Sequence, residues 1–214
     1  PSRIRVWMLV WSISVGMVAC ARPVTDPTAT LADASDHTIR HARSIEMLRT
    51  SPDRTSTAAT DALQGLIYRP GYVDEIRLSG LELLLEDNPD RLVRTTRQRL
   101  ARTSDPMWLD TYCRWLGDQD WSDPAQRETI NEALISSWGV WWPKWLDEER
   151  RPEYLALVKL NGRERVIPLV FEIFNRSTKA SQRGLRSRCW ELLHRLGQRE
   201  ALIELVKTTP TTDA

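Results

Sequence analysis

Cysteine and histidine are scarce in this chain of 214 residues, with three of each. No two cysteines form a C-x-x-C pair, and the histidines fall at no spacing that completes a zinc ligand set. The signatures G-x-S-x-G and H-E-x-x-H and a glycine-rich phosphate loop are also missing. We therefore expect no metal site, no cofactor and no enzymatic activity.

An excess of charge of either sign is missing as well. Lys and Arg number 30 and Asp and Glu 29, so the formal net charge is only +1. No global field then draws the protein to nucleic acid, which we do not expect as a partner. Long apolar runs are also lacking: Val6–Val18 has 13 residues, whereas spanning a bilayer takes about 20.

That short apolar run has the pattern of a secretory signal, because Arg3 and Arg5 precede it and small residues follow it. The motif Met17-Val18-Ala19-Cys20 resembles the lipobox of bacterial lipoproteins, except that the family usually has Leu where Met17 stands. The resemblance implies that residues 1–19 are a signal peptide and that Cys20 becomes lipidated. Two alternatives stay open: cleavage within Ala19-Cys20-Ala21 that releases a soluble protein, or an uncleaved anchor or buried helix.

Few large apolar side chains follow Cys20, and Arg22–Ser35 contains three Thr, two Pro and two Asp. Such a segment cannot bury enough surface to offset its ordering entropy, so we predict a flexible tether over residues 20–35. The expected location is the cell envelope, with a lipid anchor in a membrane and the folded domain outside the cytoplasm, facing the periplasm.

A unit of eleven residues occurs twice, at 160–170 and at 196–206. The offset is 36 residues and six positions are identical. Similarity at a period of roughly 20–50 residues is typical of solenoids, in which each unit packs against its neighbours. We therefore predict equivalent environments for equivalent residues, such as Tyr154 and Trp190.

The repeat also decides between two interpretations of Asn161-Gly162. Alone, this pair between apolar runs favours a β-hairpin. Its counterpart Gly197, however, follows Leu185–Leu196, where apolar residues recur at helical spacing. Glycine just past a helix suits a left-handed C-cap. We predict helix–helix corners at both positions and place Pro168 in the first turn of the next helix.

Helical periodicity between breakers continues through the earlier chain. The predicted helices are Asp36–Leu48, Thr57–Ile67, Val73–Leu85, Arg91–Arg102 and Ala125–Trp138, with one more starting at Pro106. The prediction is an all-α fold, a short α-solenoid of antiparallel helix pairs over residues 36–208, followed by a disordered tail at 209–214.

Two stretches share a pattern of apolar and basic residues: Ile76-Arg77 before Leu81–Leu84, and Leu185-Arg186 before Trp190–Leu193. At these residues the chain resembles the HEAT family of helical repeats. The resemblance implies units of two antiparallel helices and a curved, non-catalytic scaffold that binds another macromolecule. A HEAT-like enzyme is a third alternative.

Tryptophan is unusually common between residues 108 and 145. The group comprises Trp108, Trp115, Trp121, Trp138, Trp141, Trp142 and Trp145. Helical spacing favours packing in the core. Neighbouring helical residues point about 100° apart, however, so Trp141, Trp142 and Trp145 cannot easily all turn inward. We expect at least one to be exposed as a candidate partner contact.

Basic residues cluster between Arg176 and Arg199, where seven cations face one acid, Glu191. The candidate contacts for an anionic partner are Arg176, Lys179, Arg183, Arg186 and Arg188. The alternative is a solvated, salt-bridged surface in which Arg186 is paired internally.

The leading functional prediction is a cell-envelope lipoprotein whose scaffold binds another envelope protein. The alternative is an exported module that binds a polyanion or glycan through the basic and Trp-rich surfaces. Cys113 and Cys189 would meet an oxidising compartment there. They lie 76 residues apart, and we predict two buried thiols rather than a disulfide.

Overall fold

A computed structural model describes residues 24–33, 38–103, 105–138 and 148–208. These residues contain eleven α-helices and no β-strand, which confirms the all-α prediction. The helices are α1 (Pro27–Ala32), α2 (Thr38–Thr50), α3 (Thr57–Ile67), α4 (Asp74–Asp87), α5 (Pro89–Arg99), α6 (Pro106–Asp118), α7 (Pro124–Ser137), α8 (Pro152–Asn161), α9 (Arg163–Arg176), α10 (Arg183–Arg195) and α11 (Arg199–Thr208). None of the helices in these ranges is long and apolar enough to cross a bilayer.

Several helices begin with an acidic cap followed by proline. The carboxylates of Asp26, Asp105 and Asp123 accept hydrogen bonds from first-turn backbone N–H groups, and a proline comes next in each case. The cap satisfies one of the unpaired N–H groups of the first turn, and proline has no N–H to leave unpaired there. The helix starts predicted at Pro106 and near Pro124 are therefore confirmed.

The chain divides into two units at Leu92, inside α5. In the first unit α1 packs against α2 and α3, and α4 packs against α2 and α3. Their core is aliphatic and contains Leu31, Ile45, Leu48, Leu63 and Leu66. Gly80 permits a close approach in this core, because a Cβ there would lie 3.3 Å from Ile67 Cγ1.

Helix α1 differs from the predicted tether for residues 24–33. Leu31 is fully buried, and the imidazole of His41 lies 2.9 Å from the carbonyl oxygen of Thr30 and 3.0 Å from that of Asp33. Arg69 also donates to the carbonyl of Leu31. Composition did not reveal this docking, because one buried leucine and several carbonyl contacts hold a segment that is otherwise polar.

The second unit begins at Val93 and contains most of α5 and all of α6–α11. Helix α6 lies along α8, and Gly117 faces it so closely that a Cβ would sit 3.1 Å from Ala156 Cα. Helix α7 packs against α8 and α10, and α9 packs against the same two helices. Asn131 of α7 and Asn161 of α8 exchange two amide hydrogen bonds of 3.3 and 2.9 Å.

Both glycine corners join helices, as predicted. Gly162 has a φ of +84° and ends α8 by donating to the carbonyl of Val158, and α9 starts at the next residue. Gly197 has a φ of +77°. Around it, Gln198 N–H bonds to Leu193 and Gly197 N–H bonds to His194, which is the Schellman arrangement.

The predicted position of Pro168 is wrong. Helix α9 begins at Arg163, directly after Gly162, so Pro168 is its sixth residue and lies inside the helix. Its missing N–H removes a bond to the carbonyl of Glu164, four residues earlier. The repeat predicted the corner at Gly162, but it did not predict that α9 begins at the very next residue.

Burial follows the 36-residue offset in part. Ala156 and Leu192 are both buried, as are Leu157 and Leu193, and Val166 and Leu202. Tyr154 and Trp190 are not equivalent, contrary to the prediction. Tyr154 is 5% exposed and lies edge-on to Trp138, whereas Trp190 is half-buried beside Phe174.

Candidate interaction surface

The candidate site is the corner between α9 and α10, residues 177–182. Ser177 is buried and ends α9, with its hydroxyl donating to the carbonyl of Ile173 over 2.7 Å. Residues 178–181 are all exposed. A short 3-10 turn, Ala180–Gln182, then leads into α10. The corner thus projects polar and basic side chains into solvent between the buried end of α9 and the partly exposed first turn of α10.

Arg176 belongs to an ion-pair network rather than to a free basic surface. Its guanidinium contacts Glu128 and bonds to Glu132 of α7 over 3.0 Å. The carboxylate of Glu132 also contacts Arg97 of α5 at 3.4 Å. The two acids neutralise Arg176, so it contributes little net charge to a partner.

Cys189 lies beside this network and is fully buried. The pKa of its thiol is raised to about 12, mainly by burial and also by the nearby carboxylate of Glu132, while Arg176 acts in the opposite direction. Cys113 is also buried, and burial raises its thiol pKa well above the ordinary value. Both cysteines are free, which confirms the prediction of two thiols. Neither is poised for nucleophilic chemistry, because the thiolate is the reactive form.

Arg188 is neutralised in a similar way. It bonds to Glu191 at 2.9 Å, and Arg195 bonds to the other oxygen of the same carboxylate at 3.0 Å. One acid therefore pairs with two cations of α10, one a turn before it and one a turn after it. This part of the cluster matches the predicted salt-bridged surface.

Arg186 has an internal partner, as in the salt-bridged alternative, but this partner is an aromatic ring and not an acid. Its guanidinium carbon lies 4.4 Å from the centre of the Phe174 ring, which is the geometry of a cation–π contact. Trp190, one turn further along α10, lies 6.1 Å from the same ring. Stacking fixes the guanidinium without neutralising its charge, so Arg186 stays available to an anion.

Lys179 and Arg183 are exposed and form no ion pair with any residue in the described ranges. Together with Arg186 they are called the corner cations below. They lie at the start of α10, whose first turn contains no acid and whose N-cap residue Gln182 makes no capping bond. Cations at the positive end of a helix are unfavourable by about 0.3–1 kcal/mol each. An anion bound here would relieve that repulsion.

The other predicted contacts are placed differently. Cys20, Trp141, Trp142 and Trp145 lie outside the described residues, as do the predicted signal peptide and tail. The remaining tryptophans of the 108–145 group are buried, which confirms the core prediction for Trp108, Trp115, Trp121 and Trp138.

Sequence reasoning missed a buried charged cluster at the start of α8. Arg151 is almost fully buried and lies 5.2 Å above the ring of Trp138. Glu153 is fully buried and lies close enough to Cys113 to raise its pKa. No local signal in the sequence around Arg151-Pro152-Glu153 marks these side chains as buried. Among the described residues, no group of three His, Cys, Asp or Glu could hold a metal ion.

Comparison with known proteins adds no relative. No family model matches this chain, and neither does any curated protein or solved structure. The case for a functional role of the corner cations therefore depends only on their geometry in this structure.

Proposed function

We propose that the protein is a non-catalytic, lipid-anchored scaffold of the cell envelope. Its α9–α10 corner binds a negatively charged partner, and the leading candidate for this partner is another envelope protein. The observation that carries this proposal is that no acid in the described chain neutralises the corner cations. Lys179 and Arg183 lack ion pairs in the described chain, and Arg186 is held on Phe174. Arg beside aromatic side chains is a composition enriched at protein interfaces.

The scaffold in this proposal is a HEAT-like solenoid. The matched burial of three residue pairs at an offset of 36 supports it, as does the helical corner at Gly162 and at Gly197. Two observations depart from an ideal solenoid. Tyr154 and Trp190 differ in burial, and α7 packs against α10 across an intervening helix pair.

The anchor in this proposal is a lipid on Cys20. Metabolic labelling with a lipid analogue tests it. The label should disappear in Cys20→Ala and remain in Cys113→Ala, because Cys113 is buried and its thiol pKa is raised. Labelling that survives Cys20→Ala would show that the lipobox interpretation is wrong.

The partner is tested by placing a photo-crosslinking residue at Thr178, which is exposed in the corner. A discrete protein adduct is expected, and Lys179→Gln/Arg183→Gln should abolish it. The matched control places the same residue at Glu164, which is exposed just after the α8–α9 corner. Equal adducts from both positions, or none from Thr178, would remove the corner from the proposal.

A polyanion or glycan is the second candidate partner. The unpaired state of Lys179 and Arg183 favours it, because charge complementarity alone attracts a polymer of negative groups. Polyphosphate binding should then weaken steeply with salt and in Arg183→Ala/Arg186→Ala. Binding that is insensitive to salt would contradict this candidate.

A further inference from the structure

We infer that the corner cations dock on the anionic headgroups of a lipid bilayer and thereby orient the folded domain on its membrane. The inference rests on the proposed function, because the Cys20 anchor would hold the domain beside a bilayer. It assigns the same corner a second partner, a phosphate-bearing lipid surface, in addition to the protein of the proposed function.

The corner is open rather than enclosed. Residues 178–181 are exposed, and apart from Lys179 their side chains are small. A Cβ added to Gly184, in the first turn of α10, would meet no atom within 4 Å. Peptide recognition uses grooves or pockets that hold individual side chains. Cations spread over an open corner suit a dense, flat array of negative groups.

Charge rather than apolar insertion should drive this docking. The large apolar side chains that are exposed in the described chain are Val73, Met107, Leu155 and Ile203, and none lies between residues 176 and 190. This corner would then contact the headgroups and not the lipid tails. Basic residues near an anionic membrane surface contribute about 1 kcal/mol each, within a Debye length of the surface.

The corner keeps its charge because Lys179 and Arg183 form no ion pair with any residue that the structure describes. Arg176 and Arg188, which flank it, are paired with acids. Arg186 is fixed by its 4.4 Å contact with Phe174. The side-chain entropy of Arg186 is therefore already reduced before an anion binds, and less is lost on docking.

The test is co-sedimentation of the full chain with two kinds of vesicle, one of phosphatidylcholine alone and one that also contains phosphatidylglycerol. Binding to the vesicles of phosphatidylcholine alone, including any binding by the N-terminal segment, is the baseline for the comparison. Phosphatidylglycerol should strengthen binding, and added salt should cancel the gain. Removing one corner cation should reduce the increase in affinity caused by phosphatidylglycerol about fivefold. The double substitution Lys179→Gln/Arg183→Gln should reduce it roughly 25-fold.

A matched control is available at the preceding corner. Lys159→Gln/Arg163→Gln also removes two exposed positive charges, but these are paired with Asp118 and Glu149. The control variant should bind vesicles that contain phosphatidylglycerol as much more tightly as the unchanged protein does. Equal loss in both double variants would overturn the inference, because net charge alone would then explain binding. Full binding by Lys179→Gln/Arg183→Gln would overturn it as well. Thermal unfolding checks that both variants stay folded.

Two further outcomes separate the possible partners. Soluble glycerol phosphate, added at constant ionic strength, should not compete; if it does, the corner binds a single anion and the bilayer assignment fails. If vesicle binding shows no dependence on phosphatidylglycerol while the protein adduct from Thr178 persists, the inference fails and the proposed function stands.

Discussion

The corners at the two ends of α9 are both basic, but their charges are paired differently. At the α8–α9 corner, Lys159 contacts Asp118 and Arg163 contacts Glu149. At the α9–α10 corner, Lys179 and Arg183 have no such acids within the described residues. Asp118 and Glu149 belong to distant parts of the sequence, so local charge counts make the two corners look alike. Pairing, and not the number of cations, distinguishes a solvated surface from a candidate site.

The backbones of the two corners differ too. The first turns in one residue, with Gly162 at a φ of +84°, and an amide pair holds Asn161 to Asn131. The second takes six residues, 177–182, and needs no positive φ. A tight corner constrains the helices on both sides, whereas the longer one leaves room for exposed basic side chains. The predictions below test this contrast, from the largest effect to the smallest.

Gly162→Ala should destabilise the protein most, by about 1–3 kcal/mol, because a residue with a Cβ is strained at this positive φ and extended ψ. Urea denaturation followed by circular dichroism measures the change. Gly65→Ala is the control, since Gly65 lies inside α3 with open space around it. A neutral effect of Gly162→Ala would show that the tight corner relaxes freely.

Asn161→Ala should cost about 1–2 kcal/mol, because it leaves the buried amide of Asn131 without its partner. A double-mutant cycle with Asn131→Ala measures the coupling by the same denaturation. Additive effects of the two substitutions would mean that the amide pair does not stabilise the corner.

Glu132→Gln should make the second corner more basic, because Arg97 loses its acid and Arg176 keeps only Glu128. We expect a stability loss of about 1 kcal/mol, since both guanidinium groups are more than a third exposed. Binding to vesicles that contain phosphatidylglycerol should become roughly fivefold tighter. Weaker vesicle binding would indicate that Glu132 orients the corner instead of neutralising Arg176.

Gly184→Ala should have the smallest effect, a stabilisation of about 0.5–1 kcal/mol. Gly184 lies in the first turn of α10, and an added Cβ meets no neighbour within 4 Å. Alanine has the higher helix propensity, and it reduces the freedom of the unfolded chain. Thermal unfolding measures the shift. A clear destabilisation would show that the start of α10 is not the regular helix described.

Local patterns predicted much of the fold. The cap-and-proline starts, the helical class and the Asn161-Gly162 corner are present as predicted. These features depend on backbone conformations that a few adjacent residues impose. The errors concern α1 and Pro168, where long-range packing and the tightness of the Gly162 corner decided the outcome.

The candidate site was predictable only as a group of cations. The sequence placed Arg176, Lys179, Arg183, Arg186 and Arg188 in one cluster. It could not show that Arg176 is neutralised from α7, or that Arg186 stacks on Phe174 of α9. Those partners are 12 to 48 residues away in sequence.

By itself, the sequence determined which segments become helices and where glycine turns the chain, because apolar periodicity, caps and positive φ act over a few neighbouring residues. Only the tertiary structure decided which charges are neutralised, that Arg151 and Glu153 are buried, and how the segment around Leu31 is held. Such outcomes depend on side chains that are far apart along the chain and meet only after the helices pack.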